Sequence, residues 1–376
     1  MKIALLLTRS VIYPSMAFDI MDGFKSSLKK LGIDEKHEIV SANIGVGGKN
    51  EEIYICCEQL LLNNTDIVVA YINPLAAEFI NPLFENSGKS LIVIDSGYQF
   101  PHFHGKLSNT HFISLEGNLC SRVIVNKAVE EGKKHFAFTC SFYDAGYRPP
   151  YTFSTSAEEK GALVCYNHVT PLQKSDINLA PLAEYLEQNT DVALLASFCG
   201  DMAQDFFRDA AKFESITAAT TYGSGFTAEE FWLNKIPHPG YDWSCAVPWS
   251  LHLLNKQNQE FVTTMENIRA NKANVFSLLG WEAGLFIAAS NGKSLDKITI
   301  NSPRGNVFMN FETGFSEAPV YYAQVAKNEK TGNCILENIK EVNNLSEERV
   351  RLQQHIIAVQ NESSNSWFNA YACLES

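Results

Sequence analysis

The apolar and polar positions of this 376-residue chain fall into a pattern that occurs twice. Asp66-Ile67-Val68-Val69-Ala70 leads through a helical stretch to Ser90-Leu91-Ile92-Val93-Ile94 and then to the turn Asp95-Ser96-Gly97-Tyr98. Asp191-Val192-Ala193-Leu194-Leu195 leads in the same way to Ser215-Ile216-Thr217-Ala218-Ala219 and then to Tyr222-Gly223-Ser224-Gly225. Thirty positions separate Asp66 from Ser96 and 33 separate Asp191 from Ser224, each the span of one strand–helix–strand unit. Two like units predict two like lobes. Open parallel sheets take ligands outside the carboxyl ends of their strands, so two facing lobes would share one cleft.

The rest of the chain extends this alternation. Strands are predicted at Lys2 to Thr8 and His37 to Ala42, and helices at Ala17 to Leu31, Glu51 to Asn63 and Ala76 to Asn86; Met21, Phe24, Leu28 and Leu31 share a helical face. Near Ser114 to Asn118 the pattern resets, and a helix over Cys120 to Glu131 runs into a strand at Lys134 to Cys140. A strand at Gly161 to Tyr166 and a helix at Leu179 to Gln188 precede the second copy of the repeat. From Lys235 to Ser250 the chain is rich in Pro, Gly and aromatics, which suits neither a helix nor a central strand and is taken as a crossing back to the first lobe. A helix over Asn274 to Asn291 packs on that first lobe, strands follow at Val307 to Phe311 and Val320 to Val325, and Ser346 caps a last helix to Gln360. The expected fold class is α/β, two similar doubly wound parallel-sheet lobes joined by a multi-stranded hinge. The expected boundaries are residues 1–117 with 249–319 for lobe I, and 118–248 with 320–376 for lobe II.

Composition narrows the function. A net charge of −12 opposes sequence-independent attraction to a nucleic acid backbone or an anionic membrane, so no nucleic acid partner is expected. No run approaches the roughly 20 apolar residues of a membrane helix. Nine cysteines, an odd number without metal-like spacing, read as buried thiols and favour a reducing compartment. The apolar start Met1 to Leu7 ends at Thr8-Arg9-Ser10 without a cleavage-site pattern and reads as a strand. The expected location is cytoplasmic if Met1 is the native start and periplasmic if a signal peptide was removed. His102, His104 and His111 lack supporting acidic or thiol partners at metal-ligand spacing, and no metal or other cofactor is expected. Nucleophile-elbow, phosphate-loop and zinc-protease motifs are absent from the sequence, so no catalytic residue is assigned. A hydrolase or lyase using Asp95 and Asp201 is the alternative of another class, each acid otherwise bonding to nearby turn amides.

The chain resembles the type I periplasmic binding proteins, in particular the leucine/isoleucine/valine-binding branch that serves ABC transporters and receptor ligand-binding regions. The resemblance rests on Asp66-Ile67-Val68-Val69-Ala70 with Asn73-Pro74-Leu75-Ala76-Ala77, on Ala128-Val129-Glu130-Glu131-Gly132-Lys133-Lys134, and on Gly280-Trp281-Glu282-Ala283-Gly284. Ser302-Pro303-Arg304-Gly305, Phe311-Glu312-Thr313 and Pro319-Val320-Tyr321 follow in order. It implies a non-enzymatic binding protein that closes two lobes on a small molecule. Its role is then the substrate-binding component of an uptake system with a membrane permease as partner, or an intracellular ligand sensor. It places ligand contacts at Asn73 and Leu75, at Ser96, Gly97 and Tyr98, at Tyr13 on the first helix approach, and at Tyr143, Tyr147, Phe198 and Tyr222 on the second lobe. Arg9, directly after the first strand, could reach a ligand carboxylate. Two departures from the family pattern redirect the ligand: Asn73-Pro74-Leu75-Ala76 replaces the usual hydroxyl residues, and Tyr222 stands where a carboxylate would meet an ammonium group. Among amino-acid-like ligands and aromatic or organic acids, the rings favour a flat, partly apolar molecule with one polar end.

Overall fold

The computed structural model describes residues 1–46, 48–146, 148–171, 173–270 and 272–361. The first segment alternates strand and helix as β1 (Lys2–Arg9), α1 (Met16–Lys30), β2 (Glu38–Val46), α2 (Asn50–Leu62), β3 (Ile67–Tyr71), α3 (Pro74–Ser87), β4 (Ser90–Asp95) and β5 (Thr110–Ser114). Continuous burial of β1, β3, β4 and β5 explains their unbroken apolar runs: both faces of a parallel sheet are covered. The strands pair in the order β2-β1-β3-β4-β5, all parallel, with Leu5 opposite Val69 and Val69 opposite Ile92.

Beyond Leu115 the chain builds α4 (Gly117–Glu130), β6 (His135–Cys140), α5 (Pro149–Glu159), β7 (Leu163–Val169), α6 (Ala180–Gln188) and β8 (Ala193–Ser197). It continues with α7 (Asp201–Ala210), α8 (Glu214–Ala218), β9 (Thr221–Gly223), α9 (Glu230–Leu233) and β10 (Trp243–Val247). After His252 come α10 (Lys256–Glu266), α11 (Val275–Ser290) and an antiparallel trio, β11 (Thr299–Ser302), β12 (Gly305–Met309) and β13 (Ser316–Glu317). β14 (Tyr321–Lys327), β15 (Cys334–Glu341) and α12 (Leu345–Asn361) finish the described chain. Two compact units result. Among the described residues, one joins Met1–Leu115 to Leu253–Pro319, and the other joins Glu116–His252 to residues 320–361. The second unit's sheet runs β15-β14-β10-β9-β8-β6-β7, parallel from β10 to β7 and antiparallel at β14 and β15.

Each unit closes on its own core. In the first, α11 lies against α1 at backbone contact: a Cβ on Gly280 would come 2.0 Å from the Ile20 carbonyl oxygen, and one on Gly23 would come 2.0 Å from that of Ser277. α11 starts at a capping box, in which the Asn274 side chain accepts the Phe276 and Ser277 amides at 3.0 Å each. Behind it Arg304, fully buried, meets Glu282 through Nε at 2.7 Å and Nη2 at 2.8 Å and donates to the Ser114 carbonyl at 2.9 Å. In the second, Arg122 is equally buried and joins α4 to Glu159 of α5 at 2.7 Å and Glu348 of α12 at 2.6 Å.

Two expectations need correction. Ser215 to Ala218 is not the second strand of the repeat but belongs to the helix α8, opened by Glu214 and ended by the extended Ala219, and the strand is the three-residue β9. The Lys235 to Ser250 stretch holds β10, a strand in the middle of its sheet, because Pro237, Pro239 and Pro248 all lie outside the buried Trp243–Val247 run.

Candidate functional site

Parallel sheets present ligands with the carboxyl ends of their strands, so each unit's strand ends are the place to look. In the first unit, Tyr13 follows β1, is 2% exposed, and meets Phe276 edge-on with centroids 4.9 Å apart. Tyr71, at the end of β3, meets the same ring edge-on at 6.0 Å. Asn73 caps α3 by accepting the Ala76 amide at 2.9 Å, while its carbonyl takes the Ala77 amide at 3.1 Å. Pro74 has no N–H, so among these first-turn amides that of Leu75 is left to face outward from the cap. After β4, Asp95 accepts the Gly97 amide at 3.0 Å and Ser96 the Tyr98 amide at 3.3 Å. Gly97 sits at φ +71°, the left-handed region that favours glycine. Tyr98 is fully buried; Arg9 is exposed at the end of β1.

The second unit's strand ends carry a hydrogen-bonded network. Asp144, after β6, is fully buried; it accepts from the Ser141 hydroxyl, the Cys199 amide at 3.0 Å and the Cys199 thiol at 2.8 Å. Burial pushes its carboxyl up to about 6 against the pull of those donors. Phe198 donates its amide to Thr227 Oγ1 at 2.9 Å, Thr227 and Ser224 share a hydroxyl bond of 2.9 Å, and Ser197 donates to Ser224 at 3.2 Å. The Phe198 ring is buried and stacked on Phe206 at 4.3 Å. Tyr143 is half-buried, edge-on to Phe142 at 6.1 Å. Tyr147 lies outside the described residues. Farther along, Glu229 and Glu230 are buried, and burial raises them to about 8 and about 7. Glu230 accepts the Leu251 amide at 2.7 Å and lies 3.5 Å from His252 Nε2.

Tyr222 occupies a different place from that expected. It stands within β9 rather than in a turn, its ring belongs to the unit's core, and its hydroxyl donates to Glu131 at 2.6 Å beyond the end of α4. β6 starts just after Glu131, so this phenol is directed to the amino-terminal side of the sheet. In the loops Phe142 to Tyr147 and Phe198 to Asp201 the sequence pointed to the rings of Tyr143 and Phe198. Ser224 stood in the small-residue turn of the repeat, whereas Asp144, Cys199 and Thr227 went unmarked, their one local signal being the Ser141-x-x-Asp144 spacing of a self-capping turn. His111 is spoken for by Asp296 at 3.1 Å, and among the described residues no group of three His, Cys, Asp or Glu side chains could hold a metal.

No protein-family model and no curated protein matches the chain. Solved structures do. An ABC transporter substrate-binding protein from Sphaerobacter thermophilus superposes with a TM-score of 0.77 at 15% identity, over 91% of this chain and 98% of that one. A solute-binding protein of an ABC transporter from Rhodopseudomonas palustris, in complex with 3,4-dihydroxybenzoic acid, gives 0.72 at 17% identity, over 91% and 97%. A leucine-, isoleucine-, valine-, threonine- and alanine-binding protein from Brucella ovis gives 0.71 at 13% identity, over 91% and 95%. The fold is that of the type I periplasmic binding proteins.

Proposed function

We propose that this chain is the substrate-binding component of an ABC-type uptake system, capturing a small molecule by hinge closure of its two units and passing it unchanged to a membrane permease. The observation that carries this reading is a fold shared over 91% of the chain with substrate-binding proteins of such systems. Closure is driven by the ligand's greater affinity for the closed form.

The ligand class that fits best is an aromatic carboxylic acid. The first unit offers rings and an outward cap amide at its strand ends, a setting for a flat apolar body and an anionic end. Arg9, Tyr13, Asn73, Leu75, Ser96, Gly97 and Tyr98 form the proposed contact set there, with Tyr143 and Phe198 from the second unit; Tyr222 is left out. An amino acid would bring an ammonium group that needs a carboxylate, and Asp144 already serves Ser141 and Cys199. Solved neighbours hold 3,4-dihydroxybenzoate, benzoate and 4-hydroxybenzoate.

Titration calorimetry with those three acids and L-leucine tests the reading. At least one benzoate binds, raises the melting temperature with the logarithm of its concentration above Kd, and is recovered unchanged by chromatography. Binding of leucine with no benzoate overturns the ligand class, and consumption of a bound acid overturns the non-enzymatic reading.

A further inference from the structure

Asp144 lies where the loop leaving β6 meets the loop leaving β8. Its Oδ2 accepts the Cys199 amide at 3.0 Å and the Ser141 hydroxyl, its Oδ1 accepts the Cys199 thiol at 2.8 Å, and its own amide donates to Ser141 Oγ at 3.0 Å. One carboxylate thus closes its own turn and grips the neighbouring loop by backbone and side chain together. From Cys199 the grip passes to Phe198, whose amide is held by Thr227, and on to Ser224 and Ser197. Three strand-end loops hang on one buried acid. Packing alone does not explain an ion here, since a buried carboxylate is costly and a neutral residue of its size would fill the space. What the charge adds is strength of grip: hydrogen bonds to an ionised acceptor are shorter and stronger than neutral ones.

We propose that Asp144 is the positioning residue of the second unit's strand ends, its carboxylate keeping the Phe142–Tyr143 and Phe198–Gly200 loops in the form that receives ligand. This rests on the binding function above and adds its regulation, since affinity then follows the protonation state of one acid. The ionisable groups of the surrounding segments include the Cys140 thiol on β6, raised by burial and by the Asp144 charge, Tyr143, Cys199 itself, Arg148 before α5 and Asp201 in the first turn of α7. They also include His168 of β7, which meets Thr139 of β6 at 3.2 Å and is lowered by burial, and Glu229 and Glu230 beyond Thr227, raised by burial. With its carboxyl near 6, Asp144 is mostly ionised at pH 7.5 and mostly protonated at pH 5, where it becomes a poorer acceptor. Stability runs the opposite way. An acid raised on folding costs stability as pH climbs from the ordinary carboxyl range to its folded value, and the full cost persists above that. Asp144→Asn removes the cost and the grip together, so this variant melts no lower than the parent at pH 7.5 while binding more weakly.

The test compares the parent, Asp144→Asn, Cys199→Ala and Cys199→Ser. Calorimetry with 4-hydroxybenzoate at pH 7.5 and 5.0 is paired with amide hydrogen exchange of the unliganded proteins, corrected for intrinsic rates. The parent's Kd rises about tenfold on acidification, and Asp144→Asn shows the acid-side Kd at both pH values. Cys199→Ser, which keeps a donor, follows the parent, and Cys199→Ala binds more weakly at pH 7.5. Exchange protection at Cys199 at pH 7.5 falls about tenfold in Asp144→Asn and recovers none of it at pH 5. A variant Asp144→Asn that keeps the parent's pH profile, or its protection, overturns the proposal. If the probe binds no protein at either pH, the ligand reading fails and the exchange comparison alone decides this one. If Asp144→Asn does not fold, the contrast between Cys199→Ala and Cys199→Ser decides it, equal behaviour of the two being the overturning result.

Discussion

In the first unit the acids of the described residues that shift on folding are held down by basic partners; in the second, the strand-end acids are driven up by burial. Asp66 is lowered chiefly by its bond from Lys89, and Asp296, against the pull of burial, is brought down to about 2 by Lys106, Ser294 and His111. Asp144, Glu229 and Glu230 stand at about 6, 8 and 7, with burial as the leading cause in each. The helices at the two edges differ in the same spirit. Asn73 and Asn274 cap α3 and α11 with their side chains, whereas α7 begins after Gly200, at φ +62° and without a side-chain cap. A similar strand and helix rhythm therefore yields one edge finished by caps and rings and another strung on buried acids, so rhythm settles architecture and leaves electrostatics to single side chains.

The sharpest way to break the comparison is at the α1–α11 seam, because the first unit depends there on backbone contact, whereas Gly223 of the second meets a side chain. Gly280→Ala drives a Cβ into the Ile20 carbonyl and should cost about 4 kcal/mol. Gly223→Ala in β9 meets the buried Trp243 ring at 2.3 Å, a side chain stacked on Phe207 that must shift rather than a backbone, and should cost about 2 kcal/mol. Denaturant unfolding followed by hydrogen exchange in each unit separates the two losses, and equal losses would remove the distinction. Next in size is the pH response. The raised acids make the second unit more stable as pH falls from about 8 toward 4.5, by at least about 2 kcal/mol, because its folded form holds protons that the unfolded chain has released. Asp66 and Asp296 are lowered on folding, so what they add to the first unit is kept at neutral pH and is lost as pH drops through the ordinary carboxyl range toward about 2. Exchange protection measured at pH 8 and 6 should rise in the second unit and stay level in the first; parallel curves over that range would refute the assignment. Smallest is Asn73→Ala, which frees the Ala76 amide and should lower the first unit's stability by about 1 kcal/mol with α3 fraying first.

The architecture was legible because its signals are local. β1, β3 and β4 are apolar runs buried on both faces, and α11 is announced by Asn274 at its start. Ser215 to Ala219 misled because five small and β-branched residues suit a short helix as well as a strand, and neighbours decided the matter. β10 was hidden by the prolines flanking it. At the strand ends, Asn73 and the Ser96–Gly97 turn were readable from turn and cap chemistry alone. Tyr222 was not, since which way a strand residue points depends on its register against Leu195 and Ser244. The Asp144 grip on Cys199 joins residues 55 positions apart, and no periodicity reports such a pairing.

The glycine seam also orders events in time. Gly23 finds Ser277 only after some 250 further residues have been added, a stretch that includes the whole of Glu116–His252. At ordinary rates of translation that is roughly ten seconds to a minute during which α1 leaves the ribosome with its closest-packing face bare. The amino-terminal sheet must therefore wait, half-dressed and exposed to chaperones, for a helix that is made only after the whole of Glu116–His252.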